Sequence, residues 1–144
     1  MLIGEYLHTL DPKKRISLPV KFRKAFGRNV VVTRGLDHCL FLYPVREWEK
    51  ISQKLGELPF GQANTRGFNR FMLSGASEVE VDSAGRILIP EYLRQFAGLS
   101  TKVVFAGIHS RVEIWNERAW TTYKKRIERQ ADALAEKLGE IGVI

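Results

Sequence analysis

Asp11-Pro12-Lys13-Lys14-Arg15-Ile16-Ser17-Leu18-Pro19-Val20-Lys21-Phe22-Arg23 returns 71 residues later as Asp82-Ser83-Ala84-Gly85-Arg86-Ile87-Leu88-Ile89-Pro90-Glu91-Tyr92-Leu93-Arg94. Asp, Arg, Ile, Pro and the closing Arg are identical, and Leu18 meets Ile89. The likeness resumes with one inserted residue: Gly35-Leu36 aligns with Gly107-Ile108, Leu42-Tyr43 with Ile114-Trp115, and Trp48 with Trp120. A match of this length, in order, marks an internal duplication.

Each copy spells the same small unit. A short strand, Tyr6 to Thr9 or Glu78 to Val81, enters a turn opened by Asp, whose carboxylate accepts backbone N–H groups two or more residues on. A second strand follows, Arg15 to Leu18 or Arg86 to Ile89. Pro19 and Pro90 then suit the start of a short helix, because proline has no N–H to leave unpaired and its φ is preset. Gly27 and Gly98 suit the helix ends. Strands Val30–Thr33 and Cys39–Tyr43, with Lys102–Ala106 and Val112–Trp115, complete the copies, each pair joined across a turn containing Gly35 or Gly107. The order is β-β-α-β-β, written twice.

Helices flank the units. Pro44 opens one that runs to about Leu55, Ala63 to Leu73 reads as a bridging helix, and Asn116 is a good N-cap for the last. That last helix carries Trp120, Tyr123, Ile127, Ala131, Leu134 and Leu138 at helical spacing. The expected class is α+β, mainly β.

Composition narrows function. The 144 residues are 44% hydrophobic, enough for a core, and carry a formal net charge of +7. Residues 1–72 hold 13 Lys and Arg against 6 Asp and Glu, whereas residues 73–144 hold 10 and 10. Between Asp11 and Arg28 stand Lys13, Lys14, Arg15, Lys21, Arg23, Lys24 and Arg28, with Asp11 the lone acid. Such a field attracts polyanions, nucleic acid first among them, although a charge run alone also serves as a solvated face. No apolar run approaches the roughly 20 residues of a membrane span, and no charged-then-apolar leader is visible, so the expectation is a soluble, cytoplasmic protein.

Catalysis finds little support. His8, His38 and His109 are isolated, and one cysteine, Cys39, allows neither a disulfide nor a thiolate metal cluster. His38 and Cys39 are neighbours that a strand would point to opposite sides, so Cys39 reads as a small core residue. No phosphate-cradling glycine motif is present. The reading is a non-enzyme without catalytic residues, metal, cofactor or small-molecule substrate. Trp48, Trp115 and Trp120 sit at repeat-equivalent or stripe positions and read as packing residues rather than base-stacking platforms.

Gly4-Glu5-Tyr6 leading into Asp11–Arg23, the Leu42-Tyr43-Pro44 segment with Trp48, and Ser77-Glu78 leading into Asp82–Pro90 closely resemble the MraZ family over nearly the whole chain. The resemblance implies two SpoVT-AbrB-type units at 5–47 and 76–119, with a helical linker at 48–75 and a C-terminal helix at 120–144. The implied architecture is a swapped-hairpin, AbrB-like barrel. It implies a cytoplasmic, nucleoid-associated regulator that binds direct repeats in double-stranded DNA as a homo-oligomeric ring. That regulator would repress its own operon, in the division and cell-wall gene cluster. The family's Asp-x-x-x-Arg DNA-binding motif falls on Asp11 and Arg15, and again on Asp82 and Arg86. Lys13, Lys14, Lys21, Arg23 and Lys24 stand beside the first copy, where the second has Ser83, Ala84, Glu91, Arg94 and Gln95. The expected DNA-contacting set is therefore Asp11, Lys13, Lys14, Arg15, Lys21, Arg23, Lys24 and Arg86. Lys14 departs from the glycine seen at Gly85, which matters if the turn needs φ > 0. The alternative is a basic RNA-binding or ribosome-associated module, which the charge favours equally but the repeat does not.

Overall fold

The computed structural model describes Met1–Ile144. The first copy supplies β1 (Leu2–Thr9), β2 (Arg15–Ser17), α1 (Val20–Phe26), β3 (Asn29–Arg34) and β4 (Leu40–Pro44). Two helices follow, α2 (Val45–Gly56) and α3 (Ala63–Leu73). The second copy supplies β5 (Ser77–Glu80), β6 (Arg86–Leu88), α4 (Glu91–Phe96), β7 (Lys102–His109) and β8 (Arg111–Asn116), and α5 (Glu117–Glu140) ends the chain. The duplicated β-β-α-β-β order and the α+β, mainly β class are as the repeat predicts.

Within each copy only the last two strands pair with each other, β3 with β4 and β7 with β8, while the first strand of each copy pairs with the other copy. β1 of the first copy runs antiparallel to β7 of the second, and β5 of the second runs antiparallel to β3 of the first. The central pairing of β4 with β8 also joins the two copies. The resulting sheet has the order β1-β7-β8-β4-β3-β5, while β2 and β6 form a separate two-stranded sheet. The barrel-like body expected from the sequence is not closed: β1 and β5 remain free edges of the large sheet. The small sheet cannot bridge them. Asp turns precede its three-residue strands, and Pro19 and Pro90, lacking an N–H, stand two residues beyond their ends.

Alternation explains why Val30–Val32 and Leu40–Tyr43 are apolar without interruption. Val30, Val32, Leu40 and Leu42 face a main core that also holds Ile16, Leu18, Phe22, Ile87, Ile89 and Leu93. Phe41 and Tyr43 face a second core with Cys39, Met72, Val104 and Trp115, covered by Trp48, Trp120 and Tyr123. The central strands β3 and β4 are thus buried on both faces, while β1 and β5 keep an exposed face. α3 is tied down where Thr33 Oγ1 donates to the Met72 carbonyl at 2.7 Å and Arg34 Nε donates to the Phe71 carbonyl at 3.1 Å.

Two expectations need correction. β1 starts at Leu2 rather than Tyr6, curling at Gly4, where φ is 96°. Gly107 lies inside β7, not in the turn: a Cβ there would stand 2.6 Å from Ile3 N, so only glycine lets β1 approach. The turn falls at His109 and Ser110 instead, with His109 at φ 65°. The α5 stripe is docked only at its base. Asn116 caps the helix by accepting from Ala119 N at 3.1 Å, and Trp120 and Tyr123 lie 5.3 and 5.0 Å from the Trp115 ring. Ala131, Leu134 and Leu138 are exposed. No helix is long and apolar enough to cross a membrane.

Candidate nucleic-acid interface

The two Asp turns have one geometry. Asp11 Oδ1 accepts from the N–H groups of Lys13 and Arg15, both at 2.9 Å, and Asp82 Oδ1 accepts from those of Ala84 and Arg86, both at 2.9 Å. Lys14 N donates to the Asp11 carbonyl and Gly85 N to that of Asp82, again at 2.9 Å. The third residue after Asp is left-handed in both, with φ 66° at Lys14 and 78° at Gly85. The first turn therefore keeps its shape without glycine, at a cost of about 1 kcal/mol for the lysine.

The small sheet brings these turns together. Its register sets Arg15 opposite Leu88 and Ser17 opposite Arg86, and Leu18 N donates to the Gly85 carbonyl at 2.9 Å. Arg86 then lies between two carboxylates: its Nε is 3.1 Å from Asp82 Oδ2 and its Nη1 is 3.7 Å from Asp11 Oδ2. Arg15 reaches only Asp82, at 3.9 Å. Asp11 holds the Arg15 backbone, not its guanidinium. The Asp82 carboxyl is held below its ordinary range chiefly by the Arg86 N–H, with the Arg86 side chain and the Ala84 N–H adding to it.

The remaining candidates distribute themselves around this cluster. Lys13 and Lys14 are exposed at the tip of the first turn and have no acidic partner. Arg23 turns inward, its Nε donating to the Leu18 carbonyl at 3.0 Å. Its guanidinium also covers the second turn, since a Cβ on Gly85 would lie 2.6 Å from Arg23 Cζ. The second copy repeats the inward contact where Arg94 donates to the Ile89 carbonyl. Lys21 is exposed on α1. Lys24 lines a cleft of roughly 700 Å³ with Arg28, Arg46 and His109 and with two acids, Glu47 and Glu78, apart from the turns.

Two features lie outside the expected contact set. Asp82 is a full member of the charged cluster, and its signal was the repeat itself. The mixed-charge cleft had none as a site, because Lys24 and Arg28, Arg46 and Glu47, Glu78 and His109 come from separate segments. Cys39 is buried, donates through Sγ to the Leu36 carbonyl at 3.1 Å, and burial pushes its thiol well above the ordinary range. It is the core residue that its position suggested.

Paired turns of this kind offer unpartnered lysines and an arginine fork at one place, a surface suited to phosphates and to base edges. Fold and site thus define a tandem-repeat α+β protein with one composite cationic turn pair. Comparison with known proteins gives the family. The one described as "MraZ protein, putative antitoxin-like" matches residues 1–71 and again 72–139. Relatives named "Transcriptional regulator MraZ" include those of Desulfitobacterium hafniense strain DSM 10664 / DCB-2, 47% identical, Moorella thermoacetica, 46%, and Natranaerobius thermophilus, 44%. Each aligns over 143 residues, 99% of this chain and 100% of the relative. The chain belongs to the MraZ family.

Proposed function

We propose that this protein is a sequence-specific, double-stranded-DNA-binding transcriptional regulator that represses its own operon, in the division and cell-wall gene cluster. The observation that carries this reading is the meeting of Asp11, Arg15, Asp82 and Arg86 across the small sheet, with Lys13 and Lys14 free at its margin. Lys13, Lys14, Lys21 and Lys24 supply phosphate contacts, and Arg15 supplies the fork for a base edge or a phosphate. Arg23 and Arg86 hold the turns in shape. The units at 5–47 and 76–119 are read as SpoVT-AbrB-type, and the exchange of β1 and β5 between them is the feature that supports a swapped-hairpin relationship. A single turn pair gives a modest grip. A ring of identical chains on direct repeats multiplies it through effective concentration, which suits a nucleoid-associated protein of the cytoplasm.

A reporter driven by the upstream region of the protein's own gene tests the reading. Supplying the chain should lower expression, and scrambling the repeats upstream should abolish that effect. Equal expression with and without the chain would contradict it. RNA binding is the competing outcome, which the charge supports equally and the repeat does not.

A further inference from the structure

We propose that α5 is a self-pairing element: two copies of the chain join through their C-terminal helices, antiparallel, about a two-fold axis. α5 is 24 residues long. Its base is anchored on the sheet by Trp120 and Tyr123, and by Glu5, which accepts from Trp120 Nε1 at 2.7 Å and from Lys124 Nζ at 2.6 Å. Beyond Ile127 every residue is exposed, including Leu134 at 40% and Leu138 at 41%. The apolar stripe therefore outruns the body that covers its start.

The spacing of the stripe identifies the occupant. Ile127, Ala131, Leu134 and Leu138 are separated by four, three and four residues, a pattern that reads the same in either direction. A two-fold axis requires such a pattern, because the same patch must face its own reverse. Antiparallel copies set Ile127 level with Leu138 of the second copy, and Ala131 level with its Leu134. Large thus meets large at the ends and small meets large at the centre, as interdigitation needs.

Charge follows the same axis. The N-terminal half of the free segment carries Lys125, Arg126 and Arg129 against Glu128, and the C-terminal half carries Asp132, Glu136 and Glu140 against Lys137. The register also sets Glu128 level with Lys137 of the second copy. In this register Lys125 and Arg129 stand at the height of Glu140 and Glu136 of the second copy, so the basic half of each helix lies beside the acidic half of the other. A parallel arrangement would align like charges. The tail fits as well. Ile141, Val143 and Ile144 are 72%, 62% and 77% exposed, and the register carries them to the base of the other α5. There Leu7, Val104 and Trp120 line a cleft of roughly 440 Å³.

The pairing is independent of ring closure and of DNA binding, and it doubles whatever assembly the rest of the surface forms. Mass in solution, by light scattering after size exclusion, tests it. The Leu134→Glu/Leu138→Glu chain should show half the mass of the unmodified protein. Two further variants leave the stripe intact, Lys125→Glu/Arg129→Glu and Glu136→Lys/Glu140→Lys. Each alone should also show half the mass, while an equimolar mixture should recover the whole. A single cooperative unfolding transition by circular dichroism, retained in each variant, confirms an intact body. Unaltered mass in the leucine variant, or a mixture that stays at half, would overturn the proposal. So would a fall from an assembly larger than a dimer straight to the single chain, since the stripe would then join neighbours within one ring.

Discussion

Arg86 Nη1 lies 3.7 Å from Asp11 Oδ2, so an arginine of the second repeat is held by the turn of the first. Its own Asp82 holds it from the other side, at 3.1 Å. Arg15 has a single partner at 3.9 Å, which leaves its guanidinium the freer of the two. The repeats are therefore equivalent in backbone and unequal in their available donors.

That inequality predicts a division of labour. Arg15→Ala should weaken binding to the operator duplex by about tenfold or more, the size of a lost arginine fork. Arg86→Ala should weaken it less and lower the melting temperature slightly, because exposed ion pairs contribute at most about 1 kcal/mol. Duplex titrations and thermal melts on the two variants check this. Equal losses of affinity, with both variants folded, would remove the distinction.

Lys14 and Gly85 occupy the same turn position, and they should respond oppositely to alanine. Lys14→Ala keeps a side chain at φ 66° and should leave stability within about 0.5 kcal/mol. It should also reduce the salt dependence of duplex binding, the log–log slope falling by about 0.9 if Lys14 meets one phosphate. Gly85→Ala adds left-handed strain and drives a Cβ against Arg23, so it should cost more than about 1 kcal/mol. For a chain of this size that is a fall of about 2–4 °C in Tm.

Ile16 and Ile87 face each other across the small sheet and are both fully buried. Truncating either to Ala should cost about 2–5 kcal/mol. The pair should be non-additive, since the two side chains share one site. Because β1 and β5 are exchanged between the repeats, denaturant should unfold both in a single transition, the same by circular dichroism and by tryptophan emission. Two separated transitions would show that the repeats fold independently.

The base of α5 carries a pH dependence. Hydrogen bonding to Lys124 outweighs desolvation and holds the Glu5 carboxyl below its ordinary value, with the Trp120 N–H helping. A depressed carboxyl stabilises docking above its unfolded pKa, and that contribution is lost as pH falls through the folded value. Acidification should therefore shift the emission of Trp120, and Glu5→Gln should flatten the response. Lys124 is raised by the same partner, so a second loss is expected at strongly alkaline pH.

Much of this was legible in the chain because the duplication shows each element twice. The Asp turns, the proline-led helices and the Asn116 cap are local chemistry and appear where the residues place them. Which strand pairs with which is not local: nothing in Tyr6–Thr9 says that its neighbour is Lys102–His109 rather than a strand of its own copy. Gly107 read as a turn residue because its close approach to Ile3 is a tertiary fact. The stripe on α5 was legible as a stripe, but periodicity cannot say where a helix leaves the body it is docked on.

The central claim is that the paired turns read a duplex sequence. Fluorescence anisotropy with the protein's own upstream duplex and a scrambled duplex, each at two salt concentrations, tests it most directly. The native duplex should bind more tightly, and its advantage should survive added salt, because counterion release is the same for both sequences. Equal binding that collapses for both as salt rises would contradict the account and leave a basic surface without sequence preference.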